Sequence, residues 1–299
     1  MDAIDIPSAD VQGTIGALWI FPIKSCAGIA VPQARLLPTG LEWDRAWMVV
    51  DGQGQFVTQR QVPHMVLVQP RMDTAHGCMH MAFPGLPDCQ VPLALPFMEP
   101  VQQRRVKVWH SEVLAWDCGD RAAHWMSQAL GLACRLVRFD PASLRLANVK
   151  WTGGIRAPNQ FADGYPLLVS SQAAIHALNT RLQAKGHAAV DGLRFRANIV
   201  LEGVAAHEED FIDELWVHAD EAVAIRLGKP CTRCPIPDID PQTGKAGTAI
   251  GDELQRYRQD ARMGGAITFG MNAVVAQGAG NVLRVGQAVS GILRFDDLV

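Results

Sequence analysis

Pro230-Cys231-Thr232-Arg233-Cys234-Pro235-Ile236-Pro237 sets two thiols three positions apart, with an arginine between them and proline on both flanks. Proline lacks an amide hydrogen and fixes φ, so no α-helix runs on from Cys234 through Pro235 and Pro237. That disfavours a thioredoxin-type site, where the CxxC pair opens a helix that lowers the thiol pKa. Structural zinc asks for four ligands, yet there is no second CxxC, and the nearest histidine, His218, lies on the incoming strand region. A disulfide, simple buried thiols, or a thiolate serving a soft or redox-active metal beside the Arg233 cation stay open.

Outward from this loop the chain reads as short strands. Upstream are Glu221–Leu227, Leu215–Val217 and Ala197–Leu201; downstream are Ala266–Val275, Val282–Val285 and Ile292–Phe295, with a surface helix predicted over Asp252–Ala261. Ser171 caps a predicted helix whose Ile175, Leu178 and Leu182 share a face, ended by Gly186. A strand is expected at Pro166–Val169, and Ala142–Asp163 reads as a loop near a site.

The first half is strand-rich as well: Thr14–Ile20, Ile29–Leu37, Ala46–Asp51, Phe56–Arg60 across the turn Gly52-Gln53-Gly54, Met65–Gln69, Met79–Phe83 and Val106–Val108. One helix is predicted from Asp120, as N-cap, to the stop at Gly131, and Cys134–Phe139 follows as a strand. The pattern is that of an α+β protein, mostly antiparallel β-barrels with a few peripheral helices.

Composition narrows the class. The 299 residues are 48% hydrophobic and 19% charged, which suits a chain that buries a sizeable core. A net charge of -3 argues against a nucleic-acid partner, which needs a basic footprint. No run of about 20 apolar residues spans a membrane, and Met1–Gly13 is not a signal peptide. Seven cysteines without an export signal suggest reduced thiols in a cytoplasmic protein.

Several basic stretches gain meaning only if they meet: Lys24-Ser25 after Phe21-Pro22-Ile23, Arg45 between Trp43 and Trp47, Arg194-Phe195-Arg196-Ala197-Asn198, and Arg233. A fork-shaped guanidinium matches phosphate bidentately, whereas the plainer readings are a surface salt bridge at Asp44-Arg45 and an exposed charged edge at 194–198. His76-Gly77-Cys78-Met79-His80 would place two imidazoles and a thiol on one face of a strand, or is an exposed hairpin. His207-Glu208-Glu209-Asp210 reads as a solvated turn.

Taken together, Leu18–Cys26, Asp44-Arg45, Thr58-Gln59-Arg60-Gln61, Asp117-Cys118-Gly119, Phe195–Val200, the CxRC segment and Val285-Gly286 resemble the MOSC superfamily, in the branch of the mitochondrial amidoxime-reducing components and their bacterial relatives. The resemblance implies an N-terminal MOSC-associated β domain over 1–140, its first strands free to pair with the second domain, and a MOSC domain over 141–299. It implies that Cys234 ligates the molybdenum of a molybdenum-molybdopterin cofactor and is the catalytic thiolate. Lys24, Ser25, Arg45, Gly164, Tyr165, Arg196, Asn198, Thr232 and Arg233 fall on cofactor-contacting positions. Asn272, after Phe269-Gly270-Met271, stands where the family has a tyrosine.

The activity so implied is reduction of amidoximes, hydroxylamines and N-hydroxylated bases by two-electron oxygen removal at molybdenum. No pyridoxal phosphate would be needed. With no cysteine after Cys234, no iron–sulfur cluster is expected in this chain, and electrons would come from a separate ferredoxin-like or flavin reductase partner. The alternative is a carrier of molybdenum cofactor or sulfur without N–O reductase turnover.

Overall fold

The computed structural model describes residues 9–94, 102–219 and 221–294. Seven strands close into a barrel: β1 (Val11–Ile20), β2 (Leu167–Ser171), β3 (Ile199–Glu202), β4 (Ile212–Val217), β5 (Val223–Thr232), β6 (Ala266–Gln277) and β7 (Ala288–Leu293). Their spatial order is β2-β3-β1-β7-β4-β5-β6, and β6 returns to pair with β2. Alternation along each strand sends one set of side chains inward. Ile15, Ile199, Leu201, Leu215, Ile225, Leu227 and Met271 fill the interior and are almost wholly buried.

Among the described residues three α-helices flank the strands: α1 (Asp120–Leu130), α2 (Gln172–Gln183) and α3 (Ala249–Tyr257). The β2–β3 pair is parallel, and α2 supplies the crossover that a parallel connection requires. Ser171 caps α2 as its sequence predicts, accepting from the Ala174 amide at 3.2 Å. The second layer is a half-barrel of Trp47–Val50, Arg135–Phe139, Ser111–Asp117 and Gln103–Val108. Beside it lies a three-stranded sheet of Gln69–Asp73, Cys78–Phe83 and Leu86–Pro92, packed on α1 through Met79, Met81, Trp125 and Met126. Mostly antiparallel β with barrels and few helices is the architecture expected.

Several local expectations need correction. Met65–Gln69 is not a strand: Pro63 opens a 3-10 helix over Pro63–Leu67 that buries Met65. Phe56–Arg60 contributes one bridge, Val50 to Phe56, and then leaves the sheet. Asp120 is the first residue of α1 rather than its cap; Gly119, at φ 89°, takes that position, held by its amide donating to Asp117 Oδ1 at 2.8 Å. The third helix starts three residues before Asp252, because the Asp238 carboxylate accepts from the Ile250 and Gly251 amides at its N-terminus. Of the last expected strand, Phe295 lies outside the described residues.

The His207–Asp210 segment is not solvated. Glu209 is 0% and Asp210 6% exposed. The Ser171 amide donates to Glu209 Oε1 at 3.1 Å, and Arg258 donates to Asp210 Oδ2 at 2.5 Å. Glu209 Oε2 and both His207 ring nitrogens are buried without a hydrogen-bond partner. Burial drives Glu209 up to about 7 and His207 down to about 4.

Candidate functional site

The C-terminal end of β1 meets the N-terminal ends of β2 and β3, where β2 pairs with residues 271–273 of β6, and β6 in turn with Lys229 and Pro230 of β5. Beyond Ile20 the chain runs alongside Arg45–Trp47: the Arg45 amide donates to Phe21 O at 2.9 Å and the Lys24 amide to Trp47 O at 2.8 Å. The Phe21 amide in turn donates to the buried Asp44 carboxylate at 2.8 Å. This stitching brings Lys24, Ser25 and Arg45 to an open cleft beside these strands.

Among the described residues five cations, Lys24, Arg45, Arg60, Arg196 and Arg233, border that cleft, against one carboxylate, Asp163. The Arg45 guanidinium is buttressed from behind: Nη1 donates to Asp44 Oδ2 at 2.6 Å and to Asn198 Oδ1 at 3.1 Å, and Nη2 donates to Arg196 O at 3.0 Å. Arg45 and Arg196 both lie over the Phe21 ring, at 4.5 and 4.2 Å from its centroid. Burial and the Arg45 charge push Arg196 down to about 9, as expected of two cations without enough counter-charge. Neither surface salt bridge nor exposed edge describes these residues.

Backbone strain concentrates here. Ser25 (φ 68°), Arg45 (47°) and Arg196 (59°) are three of the six non-glycine residues in the left-handed region among the described residues. Such conformations cost free energy and persist where the surroundings enforce them, which is common at functional sites. The strand expected from Arg194 is instead a 3-10 turn, Gly192–Phe195, that throws Arg196 into this conformation ahead of β3.

The CxRC segment reaches the cleft by the bulging of β5 against β6. Register shifts flank the Lys229–Asn272 and Pro230–Met271 pairs. Gly228 sits where a Cβ would fall 1.7 Å from Trp151 O, so only glycine lets the strand pass there. Cys231 and Cys234 both border the cleft as free, half-buried thiols. They differ: Arg233 Nη1 donates to Cys231 Sγ at 3.0 Å while Nη2 donates to Phe195 O at 2.9 Å. Burial raises the Cys26 thiol to about 12 and pushes up those of Cys118 and Cys134, so none of these three has thiolate character.

Gly164, Tyr165, Thr232 and Asn272 complete the expected set around the cleft. A Cβ on Gly164 would meet nothing within 4 Å, so its backbone faces open space. Burial raises Tyr165 to about 12, and its hydroxyl donates to Asn148 O at 3.5 Å. Asn272 Nδ2 donates to Lys229 O at 3.3 Å. Asn198 is a brace: Oδ1 accepts from the Leu168 amide and Arg45, and Nδ2 donates to Trp19 O.

Sequence reasoning missed Asp163, Arg60, Thr58 and Arg145. Asp163 pairs with Lys24 and accepts from Trp109 Nε1 at 3.1 Å. Its side chain is 58% exposed; crowding by the surrounding protein works against its charge, but Lys24 holds it well below the usual carboxylate range. The buried Arg145 donates to the carbonyls of Gln160, Ala162 and Asp163 at 2.6–2.8 Å, fixing the loop that presents Asp163. Arg60 was visible in Thr58-Gln59-Arg60-Gln61; the loop contacts carried no signal at all.

Convergent cations and a CxRC segment thus share one cleft, and the chain belongs to the MOSC family. The MOSC N-terminal beta barrel domain matches residues 12–133 and the MOSC domain matches residues 156–290. The chain is 34% identical over 240 residues to mitochondrial amidoxime-reducing component 1 of Mus musculus, covering 78% of this chain and 67% of that protein. It is 33% identical over 256 residues to the Homo sapiens protein of the same name, covering 83% and 72%. It is also 29% identical over 278 residues to Homo sapiens molybdenum cofactor sulfurase, covering 87% of this chain and 30% of that protein. Among the described residues, no helix is long and apolar enough to cross a membrane.

Proposed function

We infer that the chain is a molybdenum-cofactor-dependent oxidoreductase that reduces N-hydroxylated compounds, namely amidoximes, hydroxylamines and N-hydroxylated bases. The observation that carries this reading is the convergence of five cations and a free thiol on one cleft that has a single carboxylate. Its fit to an anionic pterin is supported by donors left over: Arg196 Nη2, Arg233 Nε and Arg60 Nε are buried without a partner. Unpaired buried donors are costly, and an anion seated among them would satisfy them.

In this reading Cys234 is the protein ligand to molybdenum, suited by its soft sulfur. Arg45 and Arg196 hold the phosphate, with Lys24, Ser25, Thr232 and Arg233 around the rest of the cofactor. The backbone at Gly164 and Tyr165 lies against it, and Asn272 lines the pocket. Asn198 acts through Arg45. The chemistry supplied by bound molybdenum-molybdopterin is two-electron removal of oxygen from the N–O bond. Tyr165 keeps its hydroxyl proton throughout the neutral range, and Asp163 stays ionised, countering Lys24. Electrons come from a separate ferredoxin-like or flavin reductase partner.

The second reading, a cofactor or sulfur carrier, draws on Cys231, a second thiol bordering the same cleft. Metal and pterin analysis of protein from a molybdenum-sufficient host, followed by reduced-viologen turnover of an amidoxime, separates the two. A reductase holds molybdenum and turns over; a carrier holds it and does not. A preparation without molybdenum and pterin would overturn both.

A further inference from the structure

The three-stranded sheet of the N-terminal region carries a second set of metal-type donors, away from the cleft. Alternation along Cys78–Phe83 sends Met79 and Met81 into the core, both 0% exposed, and turns Cys78 and His80 to the outer face. Strand register sets Asp73 opposite Cys78 and Gln90 opposite His80. Cys78 Sγ consequently lies 3.4 Å from His80 Nε2, which lies 3.5 Å from Asp73 Oδ2. Donor atoms of the three residues all fall within 4.8 Å of one another.

Those separations are those of a coordination polyhedron. A tetrahedral ion with bonds of ~2.3 Å to sulfur and ~2.0 Å to nitrogen or oxygen sets its ligands roughly 3.3–3.6 Å apart. Asp73 and His80 side chains are 20% and 15% exposed, so the donors are partly desolvated yet open to an entering ion.

Outer contacts are in place too. A histidine that ligates through Nε2 carries its proton on Nδ1, and the Gln90 amide stands 3.4 Å from that atom. With the carboxamide turned oxygen-first, an assignment set by the hydrogen-bond network, Gln90 accepts that proton and fixes the tautomer. His76 does not share the strand face expected of it: it sits in the preceding turn, with Nδ1 2.9 Å from Asp73 Oδ1. Nδ1 also lies 3.0 Å from Oδ2, so His76 braces the carboxylate across both oxygens. The third donor is Asp73 on the neighbouring strand, which the spacing of His76, Cys78 and His80 did not reveal.

We propose that Asp73, Cys78 and His80 form a three-ligand site for a divalent transition ion of the zinc type, with solvent in the fourth position. The mixed sulfur, nitrogen and oxygen set suits Zn(II) better than the oxygen-seeking Mg(II) or Ca(II). Binding releases the Cys78 thiol proton to solvent and involves no change of oxidation state.

The test uses full-length protein carrying Cys231→Ser and Cys234→Ser, stripped with a chelator, so that the CxRC thiols cannot contribute. Zn(II) is titrated against a chromophoric chelator, and Co(II) binding is followed by its thiolate charge-transfer absorption. One equivalent of either ion and a thiolate–Co(II) band are expected. Adding Cys78→Ser should abolish the band and weaken Zn(II) at least tenfold; His80→Gln should weaken it as much. Gln90→Ala, a positioning change, should weaken Zn(II) roughly tenfold while keeping the band. No stoichiometric ion in the double-serine protein, or an unchanged band after Cys78→Ser, would overturn the assignment. Because Cys78 and His80 face outward, circular dichroism should show all variants folded.

Discussion

Glu209→Gln should remove a loss of stability that the wild-type protein suffers as pH rises, and the size of the effect follows from burial. The carboxyl is 0% exposed, and burial lifts it to about 7 from an ordinary value of 4.5. The folded state thus keeps a proton that the unfolded chain gives up from about pH 4.5 upward. A raised carboxylate pKa costs stability as pH rises, and the full penalty, roughly 3 kcal/mol, is reached above pH 7. Between about pH 5.5 and 8 the penalty grows by roughly 2 kcal/mol, using the same linkage relation. Glutamine keeps an acceptor for the Ser171 amide but has no proton to lose. Urea unfolding of both proteins at the two pH values gives the four stabilities required. His207, pushed down to about 4, titrates in both proteins and cancels in the difference. The wild-type-minus-variant gap should shift by about 2 kcal/mol against wild type at the higher pH. A gap independent of pH, or one moving the other way, would refute the buried-acid account.

Other changes separate the roles inside the cleft. Cys234→Ser should abolish viologen-driven N–O reduction while Cys231→Ser keeps most of it; equal losses would undo the unequal roles assigned to the thiols. Arg196→Met removes the guanidinium whose Nη2 has no protein partner, and losing such a charge-assisted bond, about 1.5–3 kcal/mol, should lower pterin retention about ten- to a hundredfold, read by cofactor release. Gly228→Ala forces a Cβ onto Trp151 O, so cofactor retention and Tm should fall together in a thermal scan with pterin analysis. Leu178→Ala, at a wholly buried site under α2, should cost about 2–5 kcal/mol in denaturant unfolding while leaving cofactor stoichiometry unchanged in the folded fraction.

Much of the fold was legible because alternation and turn residues act locally. The strands at 14–20, 79–83 and 266–275, and the cap at Ser171, are written in near neighbours. The cleft was legible only through resemblance, since Lys24, Arg45, Arg196 and Arg233 lie far apart in the chain and each has an unremarkable surface reading. Burial of charge misled: His207-Glu208-Glu209-Asp210 has the composition of a solvated turn, and only Ser171, Arg258 and Arg262 from elsewhere make its burial possible. Asp163 went unseen for a related reason. Its place depends on Arg145 gripping three carbonyls, and such contacts leave no pattern in side-chain spacing. Met65–Gln69 has strand-like composition, and a single preceding proline tipped it to a 3-10 turn.

The central position of β1 has a kinetic consequence. It pairs with β3 at residues 199–202 and with β7 at residues 288–291, so it is synthesised well before either of these partners. At roughly 5–20 residues per second of translation, Val11 waits on the order of 15–55 s before Gly291 exists. Through that interval β1 has an early partner only at residues 18–20, which pair with Ile29–Val31, while the three-stranded sheet and α1 already have theirs nearby in the chain. Barrel closure is therefore the late, high-contact-order step of folding. A chaperone that shields β1 before β3 and β7 emerge would raise the yield of closed barrel more than one acting after they have been made.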